Sequence, residues 1–183
     1  LADTTHSLIG TRLMSRITQG MHHALGIPQW FPSMPKAYRY KGSRVVPASM
    51  AYKTDPEANP TKRQVVYFPS CINQTMGLPS KSKEEQALVN KMIAVLHKAG
   101  FEVIFPEGME QLCCGTIWES KGMMEIADRK LHELEEALWQ ASDGGRIPVL
   151  CDQSPCLHRM RQHIQRMKLY EPAEFIYTVL RPY

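Results

Sequence analysis

The pattern of hydrophobic and polar positions divides the chain into three parts. Over about the first 28 residues apolar side chains recur at helical spacing, which predicts one amphipathic helix. The stretch from Trp30 to Pro60 is rich in Pro, Tyr and Lys and has no clear period, so we interpret it as an extended arm. From Gln64 onward short apolar runs alternate with longer amphipathic segments, which predicts strands alternating with helices.

The part of the chain after Gln64 predicts an α/β fold. Strands joined by helical connections normally pair in parallel, so we expect a parallel sheet with flanking helices and cysteine-bearing loops at the carboxyl ends of the strands. The domains would be residues 1–63, an N-terminal helix with the extended arm, and residues 64–183, the α/β domain. The predicted strands are 65–68, 101–105 and 147–150, the predicted helices are 84–98, about 118–141, 154 to about 167 and 172–180, and the predicted core residues are Val65, Val66, Val103, Ile104, Val149 and Leu150.

The candidate chemistry lies in five cysteines, Cys71, Cys113, Cys114, Cys151 and Cys156. Cys71 and Cys151 directly follow predicted strands, and the adjacent pair lies in the loop after the strand between them. Cys156 opens a predicted helix, with Ser154 as its N-cap and a dipole that favours the thiolate. Because ligands of parallel sheets bind at the carboxyl ends of the strands, we expect all five sulfurs at one edge.

Three chemistries are open for these sulfurs. An iron–sulfur cluster would use them all, with Cys113, Cys114 and Gly115 turning two thiolates toward one centre. Zinc takes four ligands, usually in tight pairs such as C-x₂-C, whereas Cys151 and Cys156 are separated by four residues. A thiol/disulfide redox switch is the third alternative. The odd number of cysteines disfavours an exported disulfide scaffold.

Composition and charge exclude several functions. The net charge of +4 comes from basic residues that are mixed with acidic ones, so we expect no nucleic-acid partner. No apolar run approaches the roughly 20 residues of a transmembrane helix. The chain has no Gly-rich dinucleotide fingerprint and no paired acid and base, so we expect no catalytic residue in it. It starts at Leu1 rather than at methionine, and we expect a longer polypeptide to precede it.

The sequence from Val65 to the C-terminus resembles the cysteine-rich CCG domain. This domain occurs in the cysteine-rich subunit of heterodisulfide reductase, in the iron–sulfur subunits of glycolate oxidase and anaerobic glycerol-3-phosphate dehydrogenase, and in the C-terminal part of FAD-linked D-lactate and D-2-hydroxyacid dehydrogenases. The matching landmarks are YFPSC ending at Cys71, CCG at residues 113–115, and CDQSPC from Cys151 to Cys156.

The resemblance implies an electron-transfer domain that holds an iron–sulfur cluster of the 4Fe–4S type on its cysteines. The SPC form at Cys156 looks most like the FAD-linked D-2-hydroxyacid dehydrogenases, which implies FAD-binding and ferredoxin-like domains as partners in the remaining polypeptide or complex. The resemblance also implies a quinone-linked electron acceptor. It implies a cytoplasmic location, with the domain held at the periphery of the inner membrane through its partners. The family's fullest form ends in C-x-x-C, so we rank Cys156 above Cys151 as a ligand. His158, two residues further on, is a candidate neighbour of the cluster.

Overall fold

The computed structural model describes most of the chain, including all of the predicted strands and helices after Gln64. Most of the predicted arm lies outside the described residues, which include only short pieces of it. The described residues are 2–31, 35–37, 45–46, 63–79 and 82–180.

The described helices range from single turns to eighteen residues. A 3₁₀ turn at Met109–Gln111 follows the second predicted strand, and a π-helical stretch, Ile176–Leu180, continues the last helix. The α-helices are α1 (Ala2–Ile9), α2 (Thr11–Leu25), α3 (Cys71–Thr75), α4 (Leu88–Lys98), α5 (Thr116–Glu119), α6 (Met124–Ala141), α7 (Ser154–His163) and α8 (Pro172–Phe175).

Seven strands form two sheets in the described part of the chain. One sheet pairs two short strands, and the other has five strands. The strands are β1 (Pro35–Ala37), β2 (Val45–Val46), β3 (Arg63–Phe68), β4 (Met76–Pro79), β5 (Phe101–Ile104), β6 (Val149–Cys151) and β7 (Leu169–Tyr170).

The chain divides into two compact units. The smaller contains Leu1–Tyr40 and Ile72–Leu88, and the larger contains Lys41–Cys71 and Val89–Tyr183. The boundary predicted between residues 63 and 64 stays a prediction. All five cysteines belong to the larger unit.

The five-stranded sheet of the larger unit has the order β2-β5-β3-β6-β7. Strands β5, β3, β6 and β7 are parallel, and β2 adds to β5 as an antiparallel edge strand. The predicted α/β fold with a parallel sheet and flanking helices is therefore confirmed. The central strand β3 has β5 on one side and β6 on the other. The carboxyl ends of these three strands, where the cysteine-bearing connections begin, therefore lie next to one another.

The predicted core is confirmed for the six residues chosen on the strands. Val65, Val66, Val103, Val149 and Leu150 are completely buried, and Ile104 is partly buried against the main cluster. Burial of side chains of this size typically contributes roughly 1.5–3 kcal/mol each. Helix α6 completes the core with Leu131, Leu134 and Leu138.

The smaller unit shows why the first prediction of one helix was wrong. Gly10 has a φ of 76° and separates α1 from α2.

In α2 the Thr18 hydroxyl donates to the Met14 carbonyl at 2.9 Å and accepts from the Trp30 amide at 2.9 Å. Strands β1 and β4 pair in antiparallel fashion.

Three other predicted boundaries also differ from the structure. The helix expected from about residue 118 begins at Met124, because Gly122, with a φ of 73°, separates α5 from α6. The helix expected to reach about 167 ends at His163, before the two-residue strand β7. The helix expected from residue 84 begins at Leu88. Among the described residues there is no helix with the length and apolar character needed to cross a membrane.

Candidate metal centre

The five cysteines lie at or beside element boundaries at one end of the parallel sheet. Cys71 is the first residue of α3, shortly after β3, and Cys151 is the last residue of β6. Cys156 is on the first turn of α7, and Cys113 and Cys114 precede α5. The neighbouring positions of β5, β3 and β6 place these segments together, as the strand-end argument predicted.

Direct contacts join four of the sulfurs in a row. Cys113 is hydrogen-bonded to both Cys71 and Cys114, and Cys114 is hydrogen-bonded to Cys156. We call this set, Cys71–Cys113–Cys114–Cys156, the sulfur row. None of these thiols forms a disulfide. Three separate segments of the chain therefore contribute to one continuous group of soft donors.

The sulfur row runs from the surface into the core. Cys71 is exposed and Cys113 is half-buried, whereas Cys114 and Cys156 are buried. Cys114 and Cys156 also belong to the main hydrophobic cluster. A group bound along the row would therefore be anchored in the protein interior and reachable from solvent at the Cys71 end.

The hydrogen bonds of the sulfur row shift the pKa values of the joined thiols in opposite directions. Hydrogen bonds from Cys113 and then from Cys156 lower the pKa of Cys114 far below its usual range, and Thr116, whose Oγ1 is 3.3 Å from the Cys114 sulfur, lowers it further. The pKa values of Cys113 and Cys156 are raised, chiefly because each is hydrogen-bonded to Cys114. Within the row, ionisation is therefore most favourable at Cys114.

This result corrects two expectations about the start of α7. We expected the helix dipole to favour the thiolate of Cys156, whereas its hydrogen bond to Cys114 raises its pKa. We also expected Ser154 to be the N-cap, whereas Gln153 holds that position and makes no side-chain capping bond. The Ser154 hydroxyl lies 3.4 Å from the carboxylate of Glu171 instead.

Cys151 differs from the other four cysteines. It is completely buried, and burial is the largest cause that raises its pKa to about 12. Its sulfur lies 3.9 Å from the Gln153 carbonyl oxygen. No hydrogen bond to another cysteine is found for it among the described residues. Its role as a ligand, ranked below that of Cys156, stays a prediction.

Gly115 is required by the geometry of the double-cysteine loop. Its φ of 89° lies in the left-handed region, which side chains disfavour. A Cβ atom there would be 2.4 Å from the Ala127 carbonyl oxygen and 3.0 Å from Nε of Arg159. The Gly115 amide also donates to the Cys113 sulfur at 3.4 Å. The turn, the close approach to α6 and the orientation of Cys113 therefore depend on the same residue.

Arg159 contacts this loop and the helices beside it, and the sequence analysis did not identify this residue. Its Nε donates to the Cys114 carbonyl oxygen at 3.1 Å, and its Nη2 donates to Asp128 at 2.6 Å. Nη1 lies 2.6 Å from a Glu119 carboxylate oxygen without the angles of a hydrogen bond, so this contact is an ion pair only. Arginine in a polar helix is ordinary, and the only sequence signal was its position three residues after Cys156.

Asp152 joins the ends of two strands beside the site, and it too was missed. Its carboxylate accepts a 2.6 Å hydrogen bond from the Tyr67 hydroxyl and a 2.8 Å bond from the Ser70 amide. These bonds tie the residue after β6 to the segment that leads from β3 to Cys71. An acidic residue inside the CDQSPC motif was the signal that could have revealed it.

Replacing Tyr67 with Phe should lower the free energy of unfolding by about 1.5–3 kcal/mol, the usual value of a hydrogen bond to a charged group. Tyr67 is completely buried, so water cannot replace the lost hydroxyl. Urea unfolding of the apo-protein measures the change. Tyr170→Phe is the control, because the Tyr170 hydroxyl has no hydrogen bond within the part of the chain that the structure describes. Equal losses in the two variants would contradict the role of the Tyr67–Asp152 bond.

His158 is exposed, and its Nε2 lies 3.1 Å from the side-chain nitrogen of Gln162. Among the described residues, no hydrogen bond joins this histidine to a cysteine. Its predicted place beside a cluster therefore has no support from the geometry.

The donor set fits a soft metal centre. Thiolates are the ligands of iron–sulfur clusters and of many zinc sites, and the sulfur row offers four neighbouring thiols. Within the described ranges, no three His, Cys, Asp or Glu side chains are already arranged around one metal position. The sulfurs thus form a row of neighbours and not a closed shell, and the donor chemistry alone does not separate iron–sulfur from zinc.

Comparison with known proteins identifies the family. Searches of curated proteins and of solved structures found no match. Residues 65–161, more than half of the chain, match the family described as CCG, cysteine-rich domain. The matched segment contains all five cysteines, Gly115 and Arg159. The chain therefore belongs to the CCG cysteine-rich domain family.

Proposed function

We propose that this chain is an iron–sulfur electron-transfer domain. The observation that carries the proposal is the sulfur row, in which Cys71, Cys113, Cys114 and Cys156 come from three separate segments and touch one another. Membership of a cysteine-rich family supports a metal-binding, electron-transfer role. The 4Fe–4S type of cluster is part of the proposal.

The residues of the row would have distinct tasks in holding the cluster. Cys114, whose pKa is lowered by its neighbours, would lose its proton most readily and form the first bond. Cys113 and Cys156 would release their protons on binding, since only the thiolate is a ligand. Cys71, at the exposed end, would leave the bound group open to a redox partner. When bound, the cluster supplies reversible one-electron transfer.

We further propose that the domain is the C-terminal part of an FAD-linked dehydrogenase of the D-2-hydroxyacid, D-lactate type. The SPC sequence at the start of α7 and the motif at Cys71 support this branch by their resemblance. The domain would receive electrons from FAD through ferredoxin-like clusters and pass them to a quinone-linked acceptor. It would act in the cytoplasm, held at the inner membrane by partners. Substrate oxidation would then take place at the flavin and not on this chain.

Anaerobic reconstitution with iron and sulfide should yield a brown protein that retains both elements after desalting. Iron and acid-labile sulfide are measured together with the visible spectrum, which should bleach on reduction with dithionite. A parallel sample loaded with zinc provides the comparison for the competing metal. Stoichiometric zinc binding with no uptake of iron or sulfide would overturn the proposal in favour of a zinc-binding structural module. Rapid reversible formation of a disulfide without metal uptake would favour a thiol switch.

A further inference from the structure

Arg159 is an almost completely buried cation. The residue is only 1% exposed, although arginine is rarely buried completely. Two carboxylates compensate its charge, and both are much more exposed than the guanidinium, at 37% for Glu119 and 58% for Asp128. The burial of a charge costs free energy, which its ion-pair partners offset only in part. The almost complete burial of an arginine at this position therefore needs a structural explanation.

The contacts of Arg159 connect the two buried cysteines of the sulfur row. Arg159 and Cys156 are three residues apart on α7, and residues at this spacing share one face of a helix. From that face the guanidinium reaches the carbonyl oxygen of Cys114 at 3.1 Å. The side chain thus spans from the helix that carries Cys156 to the loop that carries Cys114.

The remaining guanidinium contacts fix the same loop from its other side. Glu119 lies at the end of α5, directly after the loop, and Asp128 lies on α6. Gly115 leaves room for Nε, since a Cβ atom there would be 3.0 Å from it. From α7, the planar guanidinium therefore contacts the loop and α6 through two hydrogen bonds and α5 through an ion pair, a geometry that lysine cannot reproduce.

We infer that Arg159 is a positioning residue that holds the double-cysteine loop against α7, and that its charge raises the reduction potential of a cluster bound on the sulfur row. The second half rests on the proposed function. Reduction adds negative charge to the cluster, and a nearby buried cation stabilises the reduced form more than an exposed one would because water screens it less.

The test compares Arg159→Gln and Arg159→Lys with the wild-type chain. Arg161→Gln is the matched control, because Arg161 is on the same helix and also donates to a backbone carbonyl, that of Leu169 at 2.6 Å, and to a carboxylate, that of Glu174. Amide hydrogen exchange at residues 113–115 of the apo-protein reports the order of the loop. Equilibrium redox titration of the reconstituted protein reports the potential.

We expect exchange at residues 113–115 to be at least about tenfold faster in Arg159→Gln, faster than wild type in Arg159→Lys, and unchanged in Arg161→Gln, with tenfold corresponding to about 1.4 kcal/mol of local opening free energy. The potential should fall in Arg159→Gln and stay close to that of wild type in Arg159→Lys, which keeps the charge. Glu119→Gln, which removes a negative charge and keeps Arg159, should raise the potential and can be measured if Arg159→Gln fails to fold.

Unchanged exchange in both Arg159 variants would overturn the positioning role. A potential that does not rise in Glu119→Gln, or does not fall in a folded Arg159→Gln, would overturn the electrostatic role. If the wild-type chain takes up no iron, the proposed function and the effect on potential fail together. The exchange measurement still decides the positioning role in that case, because it uses the apo-protein.

Discussion

Gly115→Ala is expected to destabilise the larger unit by about 2–5 kcal/mol, combining a left-handed backbone cost of 1–2 kcal/mol with an overpacking cost of 1–3 kcal/mol. The added methyl group would meet the Ala127 carbonyl oxygen at 2.4 Å, a distance that real Cβ atoms do not show. Two of the three nearest atoms are backbone atoms of Ala127 in α6, which cannot turn away as a flexible side chain can. Urea denaturation of the apo-protein measures the loss, and iron uptake should fall as well because Cys113 and Cys114 would shift.

The control for this variant is Gly122→Ala. Gly122 has a similar φ of 73°, but a Cβ atom there would meet nothing within 4 Å. This variant should lose only the backbone contribution, about 1–2 kcal/mol. Losses of equal size at the two glycines would show that conformation alone explains Gly115, and that its close approach to α6 has no energetic effect.

Replacing any member of the sulfur row is expected to abolish stable binding of the cluster. Cys71→Ser, Cys113→Ser, Cys114→Ser and Cys156→Ser should each weaken iron retention by more than about tenfold, since changes outside the ligand set already cost 10–100-fold. Cys151→Ser should lose less, because Cys151 lies outside the row. Iron and sulfide content after anaerobic reconstitution and desalting measures the ranking.

Alanine variants separate ligand loss from damage to the core. Cys151 and Cys156 are both buried, so Cys151→Ala and Cys156→Ala each leave a small cavity without introducing a buried hydroxyl. We expect Cys151→Ala to keep most of its iron and Cys156→Ala to lose it. Equal loss in the two variants, with both apo-proteins folded, would show that Cys151 is a true ligand and that its rank is wrong.

The alternation of strands and helices could be predicted because both kinds of element have a pattern in the local sequence. The apolar runs that contain Val65, Val103 and Val149 predicted the central strands, and parallel pairing then placed the cysteines at one end of the sheet. Strand β7 has only two residues, too few to show a period. Gly10 and Gly122 divide helices whose apolar spacing continues across the break, so the pattern alone suggested longer helices.

The supporting residues of the site could not be predicted in the same way. Arg159 and Asp152 act through partners far away in the sequence, namely Cys114 and Tyr67. No local pattern distinguishes a buried arginine from an exposed one on the same helix, such as Arg161. The raised pKa of Cys156 was not expected for the same reason, because the helix dipole is a local effect whereas the Cys114–Cys156 contact depends on tertiary structure.

The origin of the sulfur row in three segments has a consequence for biosynthesis. During translation Cys71 emerges first, then Cys113 and Cys114, and Cys156 only after β6. The deepest contact of the row, between Cys114 and Cys156, cannot form until β6 has paired with β3 and α7 has packed behind the loop. A cluster held by all four cysteines of the row could therefore be inserted only after Cys156 has been synthesised and α7 has reached the loop.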